Sequence, residues 1–307
     1  MGKLKIAVLG ASGIGKFHVR EFLAAGANVT AILGSSKESV EKTADSLNLE
    51  FGFHPKTYVK LETLLQTEHL DAVSIATPPQ MHYDQAKKCL EAGLHVLCEK
   101  PFVFNSYSEN GKPTAELIAL AKNQNRIVTI NTQWPSVLRY VAPLVDISRV
   151  ESFFMYTQPG ERGIGMLWDH LPHTNSMLVK LIPGGRAEEI KFSETSEEEN
   201  DVDFIYRSHD SLCQVHYKFK FKATRPRDLW FSINGVEFKR EIGEAYQQKL
   251  ITGKANIEIE DPFKASLKMF VDSIKGMAQP LISTAEIIEN VLLQDDIIKA
   301  YVPPKGS

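Results

Sequence analysis

Lys100 is the first residue whose type and position suggest chemistry. The apolar run 95–98 predicts a buried strand, and it leads directly into Glu99, Lys100 and Pro101. An ammonium group at the end of a buried strand loses part of its hydration, which favours its neutral form and makes proton exchange near neutral pH feasible. Open parallel sheets bind their ligands at the carboxyl ends of the strands. The sequence therefore predicts a catalytic lysine at position 100.

Asp169 and His173 form a second candidate set. Their i, i+4 spacing puts both side chains on one face of a helix. An imidazole can take a hydroxyl proton, an ammonium can polarise the oxygen, and a carboxylate can orient the substrate or the base. The structural alternative is that Asp169 caps the helix and Pro172 lies in its first turn. Together with Lys100 the pattern favours chemistry, with Lys100 and His173 sharing proton transfer and Asp169 positioning the substrate.

Composition indicates an ordinary globular protein. The 307 residues include 35 basic and 38 acidic side chains, and the absence of a long basic run argues against a nucleic-acid partner. No apolar run reaches the roughly 20 residues that span a bilayer, and the chain leads straight into a predicted strand without room for a signal peptide. Cys89, Cys98 and Cys213 are not at metal-ligand spacing. We therefore predict a cytoplasmic protein with neither a metal nor a membrane partner.

Short apolar runs alternate with helical patterns over residues 1–130. This regular alternation predicts an α/β Rossmann domain with a doubly wound parallel sheet. The predicted strands are 5–10, 27–33, 72–76, 95–98 and 127–132, and the predicted helices are 15–25, 37–47, 61–65, 80–92 and 114–124.

Residues 131–307 have a different pattern. Several predicted strands show period-2 alternation, and Asn234-Gly235 is a strong hairpin signal. The acid-rich stretch 193–203 is predicted to be a solvated turn. A C-terminal α+β domain with a largely antiparallel open sheet is therefore expected. Its predicted strands are 150–157, 188–193, 202–207, 212–221, 229–234 and 236–242, and its predicted helices are 169–181 and 262–275.

A glycine-rich turn follows the first predicted strand. Such a turn lets backbone N–H groups meet a pyrophosphate at the positive end of a helix. Ser12 occupies the place of the expected second glycine, so an ordinary tight strand-to-helix turn is the alternative. The position directly after the first strand favours dinucleotide binding. The candidate cofactor residues here are Gly10, Ser12, Gly13, Ile14 and Gly15.

Ser35, Ser36 and Lys37 follow the second predicted strand. A carboxylate at this position would hydrogen-bond the adenosine ribose and repel a 2′-phosphate, whereas two hydroxyls and a lysine suit that phosphate. NADP is therefore preferred, with NAD as the other option. The alternative reading, which is compatible with this one, is that Ser35 or Ser36 simply caps the next helix.

These motifs resemble one known family over residues 5–130, namely the glucose–fructose oxidoreductase/inositol dehydrogenase/MocA group of nicotinamide-dependent oxidoreductases. The resemblance rests on the segment 10–15 with His18, on the segment 75–79 with His82, and on the segment 99–101. It implies that Thr77, Pro78 and His82 lie beside the cofactor, and that Glu99 and Lys100 lie where cofactor and substrate meet. For Thr77 and Pro78, a helix start is a compatible alternative.

The resemblance extends more thinly into the second half. The family often has a glycine-rich stretch followed by Asp-x-x-x-His, which matches residues 163–173 and carries roles onto Asp169 and His173. Family members frequently have an arginine soon after the sixth strand, where this chain has Gln133, and Ile164 replaces a glycine. Both departures lie near the expected active site and leave the substrate type open.

The resemblance implies an NAD(P)-dependent oxidoreductase acting on a secondary alcohol or ketone of a sugar, cyclitol or nucleotide-linked sugar. It also implies a homodimer or homotetramer formed through the open sheet. One alternative is a non-catalytic NAD(P)-binding regulator of the same fold. Another is an amino- or hydroxy-acid dehydrogenase, which requires an anion-binding arginine in the second half. The available residues are Arg139, Arg162, Arg207, Arg225 and Arg227.

Overall fold

The computed structural model describes residues 2–105, 109–209, 211–253 and 255–303, which form two compact units. The first unit draws on the chain up to Asn105, on Lys112–Asn131 and on Lys264–Thr284. The second unit contains the remaining described residues, chiefly Thr132–Phe263 and those from Ala285 onward. The predicted boundaries, 1–130 and 131–307, differ from this division mainly in the return of Lys264–Thr284 to the first unit.

The first unit contains a six-stranded parallel sheet with helices along the chain between its strands. The strands are β1 (Lys5–Leu9), β2 (Asn28–Leu33), β3 (Lys56–Tyr58), β4 (Ala72–Ile75), β5 (His95–Cys98) and β6 (Val128–Ile130). The helices are α1 (Ile14–Ala24), α2 (Lys37–Phe51), α3 (Leu61–Thr67), α4 (His82–Glu91) and α5 (Gly111–Asn123), with a 3₁₀ turn at Pro79–Met81. The strand order is β3-β2-β1-β4-β5-β6, and all neighbours pair in parallel.

This order confirms the predicted doubly wound Rossmann fold. Most residues of β1, β4, β5 and β6 are buried, as expected for parallel strands covered on both faces. The predicted helices agree with the observed ones to within a few residues. The sequence did not predict β3, because this three-residue strand is only partly buried and carries no apolar run. Gly93 follows α4 with φ 75°, the left-handed conformation that its position predicts.

The second unit is built on an eight-stranded sheet. Its helices are α6 (Leu138–Val141), which follows a 3₁₀ turn at Trp134–Val137, and α7 (Ile164–Leu181). α8 (Pro262–Ile274) leads back into the first unit, and α9 (Thr284–Ala300) returns to the second. The strands are β7 (Ser152–Thr157), β8 (Arg186–Thr195), β9 (Glu199–Arg207), β10 (Leu212–Lys220), β11 (Leu229–Ile233), β12 (Val236–Ile242), β13 (Gln248–Thr252) and β14 (Ala255–Ile259), and a 3₁₀ turn covers Glu244–Tyr246.

The sheet order is β14-β13-β12-β11-β7-β10-β9-β8. All pairs are antiparallel except β7 with β10, which confirms the predicted, largely antiparallel sheet. Alternate residues of the central strands, such as Phe153 and Met155 of β7, join the core together with apolar residues of α7 and α9. The hairpin at Asn234-Gly235 is confirmed, with φ values of 50° and 78°.

The acid-rich stretch 193–203 is a correction. It is not simply a solvated turn, because β8 and β9 run through most of it and only the residues between Thr195 and Glu199 turn. Lys218 of β10 explains the difference, since its Nζ lies 3.0 Å from Asp201 Oδ2 and also pairs with Glu199. The neighbouring strand therefore neutralises the acids, which can then remain in an extended ladder. β13, β14 and α9 were also missed by the sequence prediction.

The start of α7 is a second correction. The helix begins at Ile164 rather than at residue 169, so Asp169 is not its cap and Pro172 lies in its interior. Gly163 is the cap residue, with φ 53° and no side-chain cap bond, and a glycine gives little sequence signal at this position. Asn290 Nδ2 donates to the Pro172 carbonyl at 2.8 Å, which holds the interior proline turn against α9.

The unit boundary at Lys264–Thr284 has a packing reason. Phe270 of α8 packs against Phe22 of α1 with 6.3 Å between ring centroids. Thr129 Oγ1, on β6, donates to the Ile282 carbonyl at 2.9 Å. These contacts tie the returning segment to α1 and to β6. In the part of the chain that the structure describes, no helix is both long and apolar enough to cross a bilayer.

Candidate active site

The glycine-rich turn after β1 has the geometry of a pyrophosphate cradle. A Cβ atom at Gly10 would lie 2.7 Å from the Ala76 carbonyl oxygen, and one at Gly15 would lie 2.1 Å from the Gly10 carbonyl oxygen. Both positions therefore require glycine for β1, α1 and β4 to approach one another. Gly13 has φ 57°, and nothing lies within 4 Å of the place where its Cβ would be. The backbone at the start of α1 thus faces open space, which fits a dinucleotide pyrophosphate.

Residues Ser35, Ser36 and Lys37 are exposed where β2 ends and α2 begins. Ser36 is the helix cap, because its Oγ accepts a hydrogen bond from the Ser39 N–H at 3.2 Å. The capping interpretation of Ser36 is therefore confirmed. A role for these residues in binding a 2′-phosphate is compatible with it and stays a prediction.

His82 joins the segments that follow β4 and β5. It is 0% exposed, and its ring nitrogens lie 2.8 Å from the Thr77 carbonyl oxygen and 2.7 Å from the Pro101 carbonyl oxygen. Burial lowers the pKa of His82, while the two carbonyl acceptors oppose this effect. A neutral imidazole carries one N–H, so the ring donates to only one of these two carbonyls and contacts the other. Both ring nitrogens thus face the backbone of the two loops, and the place of His82 beside the cofactor stays a prediction.

Thr77 and Pro78 follow β4 at the same edge of the sheet. Thr77 Oγ1 donates to Gln85 Oε1 of α4 at 2.6 Å. The 3₁₀ turn that follows has Pro78 as its cap residue and no side-chain cap bond. Thr77 therefore does not cap a helix, and its hydroxyl instead ties the β4 loop to α4.

Glu99 is the centre of a buried polar network beside Lys100. Its Oε1 lies 2.9 Å from His18 Nε2 and accepts from Asn131 Nδ2 at 2.6 Å, while Oε2 accepts from the Lys100 N–H at 3.3 Å. Burial raises the pKa of Glu99, but the hydrogen bonds and charges of His18, Lys100 and Asn131 outweigh it and lower the pKa to about 2. Glu99 is therefore a fixed carboxylate rather than a proton donor near neutral pH.

The network extends away from Glu99 in two directions. His18 Nδ1 lies 2.7 Å from Ser74 Oγ, and Ser266 Oγ donates to Asn131 Oδ1 at 2.7 Å. His18 and Ser74 are 0% exposed, and Asn131 is 1% exposed. The sequence analysis did not identify Ser74, Asn131 or Ser266. For Asn131 a signal existed, because it is a polar residue directly after a buried strand.

Lys100 occupies the predicted position at the carboxyl end of β5. Its side chain is partly buried, and its backbone is held by Glu99 and by the His82 bond to Pro101. The first unit therefore brings the glycine turn, the β4 loop and the lysine to one edge of the parallel sheet. Among the described residues there is no group of three or more His, Cys, Asp or Glu side chains that could hold a metal.

Asp169 and His173 lie on α7 in the second unit. His173 is 9% exposed, and its ring centroid lies 5.7 Å from that of His170 in an edge-to-face arrangement. His170 Nε2 lies 3.4 Å from Asp169 Oδ2. His170, which is also a polar candidate from the sequence, therefore lies in contact with both Asp169 and His173. Because α7 begins five residues before Asp169, this group sits within the helix rather than at its end.

The strand order and the glycine turn after β1 define the first unit as a Rossmann domain of the dinucleotide-binding type. Residues 4–132 match the family model described as the GFO_IDH_MocA oxidoreductase family, NAD-binding Rossmann fold. This match covers the first unit and less than half of the 307-residue chain, so it describes the nucleotide-binding unit rather than the whole protein.

Similar proteins match mainly in this first unit. The chain is 35% identical over 131 residues to an uncharacterised oxidoreductase of Schizosaccharomyces pombe, covering 42% of this chain and 34% of that protein. It is 35% identical over 94 residues to the scyllo-inositol 2-dehydrogenase (NADP(+)) IolU of Bacillus subtilis, covering 31% and 26%. The matched segments thus span about a third or less of these two relatives.

A solved structure shows that the fold likeness extends over the whole chain. The UDP-N-acetylglucosamine 3-dehydrogenase GnnA of Acidithiobacillus ferrooxidans superposes with a TM-score of 0.75 over 98% of both chains, at 14% identity. At this identity the comparison establishes the fold of both units and leaves the substrate to be argued from residues.

Proposed function

We propose that this protein is an NADP-dependent oxidoreductase of a secondary alcohol or ketone in a sugar, a cyclitol or a nucleotide-linked sugar. The observation that carries the proposal is the placement of Lys100. It follows the ionised Glu99 at the same sheet edge as a glycine turn that fits a pyrophosphate. The family relationship supports the dehydrogenase chemistry. The three cysteines are buried and unbridged, which fits a reducing compartment such as the cytoplasm.

The residues have separable roles in this proposal. The nicotinamide supplies the hydride chemistry when it is bound. Lys100 polarises the substrate oxygen and exchanges its proton, His173 shares this proton transfer, and Asp169 orients the substrate hydroxyls. Glu99 and His82 hold the Lys100 backbone in place.

The NADP preference can be tested without a substrate. Ser36→Asp keeps a side chain that caps α2 but adds a charge that repels a 2′-phosphate and can bond a ribose. We expect the Kd for NADPH to rise by about tenfold or more and the Kd for NADH to fall or stay unchanged. Fluorescence titration with each nucleotide measures both constants.

Ser36→Asn is the matched control, because it also caps the helix but adds no charge. It should retain the wild-type order of the two affinities. A wild-type protein that prefers NADH would overturn the 2′-phosphate argument and leave the dehydrogenase intact. A protein that binds neither nucleotide would remove the oxidoreductase proposal.

The open face of the second unit's sheet supports a homo-oligomer. Phe154 lies between two stacked neighbours, with its ring centroid 4.2 Å from that of Trp230 and 5.1 Å from that of His216. Tyr156 extends the row, 6.2 Å from Trp230. These partly exposed rings form an aromatic stripe on the face opposite the core. Such a stripe fits a face that a second copy covers.

Trp230→Glu should therefore dissociate the homodimer or homotetramer that we propose. The charge would have to be buried against the facing subunit, so we expect a shift of mass toward the monomer in sedimentation equilibrium. Leu49→Glu is the control, since Leu49 is 88% exposed on α2 of the first unit. A wild-type protein that is already monomeric, or a Trp230→Glu variant with unchanged mass, would contradict the interface.

A further inference from the structure

Arg240 is a charged residue on the core-facing side of the second unit's sheet. Arg240 lies two residues after the buried Phe238 on β12, so their side chains are on the same face of the sheet. Its Cζ lies 5.1 Å from the ring centroid of Trp134, which is 5% exposed, and one of its Nη atoms donates to the backbone carbonyl of Arg227. A guanidinium on this side of a sheet is costly unless its charge is compensated.

Arg227 lies just before β11, and backbone groups hold its side chain in place. Its Nε donates to the Lys222 carbonyl at 3.0 Å. Its guanidinium lies against Gly160, where a Cβ atom would come within 2.1 Å of Nη2 and 2.7 Å of Cζ. Gly160 therefore leaves the space that the Arg227 guanidinium occupies. We call Arg227 and Arg240 the arginine pair.

The arginine pair differs from three other arginines that were candidates for anion binding, because each of those three pairs with a carboxylate. Arg139 lies 2.8 Å from a Glu260 oxygen, Arg207 lies 2.9 Å from a Glu188 oxygen, and Arg162 pairs with Glu198. For the arginine pair, no carboxylate oxygen of residues 2–105, 109–209, 211–253 and 255–303 lies within the 4.0 Å of an ion pair.

The electrostatics of Arg240 agree with this geometry. Burial lowers its pKa, and the charge of Arg225 acts in the same direction. Tyr246, Asp228 and Asp261 oppose the shift from beyond ion-pair distance without cancelling it. Arg240 is therefore a partly buried cation whose compensation within the described chain is incomplete.

We propose that the arginine pair binds an oxyanion, the phosphate, diphosphate or carboxylate group of the substrate. The planar fork of a guanidinium matches two oxygens of any of these groups, and the Arg240 guanidinium lies over the Trp134 ring. The assignment of this oxyanion to the substrate rests on the proposed function, whereas oxyanion binding by the arginine pair does not. The substrate class then narrows to charged sugars, meaning sugar phosphates, nucleotide-linked sugars or sugar acids.

Direct binding tests the arginine pair. The probes are inorganic phosphate, inorganic pyrophosphate and glucuronate, measured by calorimetry at constant ionic strength with saturating NADPH to occupy the glycine turn. We expect at least one probe to bind the wild type and its Kd to rise by about 10- to 100-fold in Arg240→Gln. Arg240→Lys should restore only part of the affinity, because an ammonium cannot offer the planar fork. The probe that binds identifies the anionic group.

Two further variants keep the test decisive. Arg149→Gln removes an arginine whose side chain is 80% exposed, and it should bind as the wild type does. If Arg240→Gln proves unstable, Gly160→Ala takes its place in the test. This variant displaces only the end of the Arg227 side chain, so it should fold normally and weaken oxyanion binding. Binding that is absent from the wild type, or equal in Arg240→Gln and Arg149→Gln, overturns the proposal.

NADPH fluorescence on the same samples separates this inference from the proposed function. NADPH binding without oxyanion binding contradicts the arginine pair alone. Oxyanion binding that depends on Arg240 in a protein that fails to bind NADPH, measured then without the nucleotide, supports the pair and contradicts the oxidoreductase.

Discussion

Lys100→Met is expected to lower kcat by about 100- to 10,000-fold, the usual contribution of a positioned acid or base. The methylene stem is retained while the ammonium group, to which the proposed function assigns exchange of the substrate proton, is lost. The Kd for NADPH should stay within about threefold of the wild type, because the glycine turn is untouched. Nicotinamide absorbance with the best substrate from a panel of sugars, cyclitols and nucleotide-linked sugars measures the rate.

Lys122→Met is the matched control for this result. Lys122 is an exposed lysine on α5, and its replacement should leave both constants unchanged. Wild-type turnover in Lys100→Met would exclude Lys100 from the chemistry. A protein that binds NADPH but turns over nothing in the panel would instead favour the non-catalytic regulator, and that outcome is visible before any variant is made.

Glu99→Gln should lower the free energy of unfolding at about pH 7 by on the order of 3 kcal/mol. The substitution leaves His18 and the Lys100 N–H facing a neutral amide in a buried network. Removing the charge from one member of a buried hydrogen-bond network costs more than replacing all its members by apolar groups, because the remaining polar groups keep their desolvation cost. Urea unfolding followed by circular dichroism measures the difference.

The same carboxylate predicts a pH dependence. The pKa of Glu99 is about 2 in the folded protein, below its ordinary value of 4.5. Because the unfolded chain takes up the proton first, this stabilisation is complete above about pH 4.5 and is lost as the pH falls toward about 2. Wild-type protein should therefore lose more stability than Glu99→Gln between these values. Glu91→Gln, an exposed control, should follow the wild type, and parallel curves for all three proteins would contradict the assignment.

Local patterns were enough to predict the strands of the first unit other than β3, and its helices α1 to α5. The predicted strands are short apolar runs, and α1 and α2 begin after a glycine and a serine. The position of Lys100 followed from the end of β5. What the sequence could not predict were contacts between distant segments, such as Ser266 with Asn131 or His82 with Pro101, because no local pattern encodes them.

The second unit was harder for identifiable physical reasons. The predicted helix 169–181 begins five residues later than α7, because the cap of α7 is a glycine and its interior Pro172 resembles a first-turn residue. The acidic strands were read as a turn because their neutralising partner, Lys218, lies on another strand. The sequence gives no local signal for Arg240 either, because its ring partner Trp134 is distant along the chain.

The return of Lys264–Thr284 to the first unit has a consequence for synthesis of the protein on the ribosome. The segment that carries β1 to β6 is translated before α8. Phe22 can therefore contact Phe270, and Asn131 can contact Ser266, only after α8 has been translated. The nascent chain thus keeps one side of its nucleotide half uncovered while the whole eight-stranded sheet is made. The first unit therefore cannot complete its packing before the second unit's sheet has been translated, which differs from the usual order in which an N-terminal domain folds first.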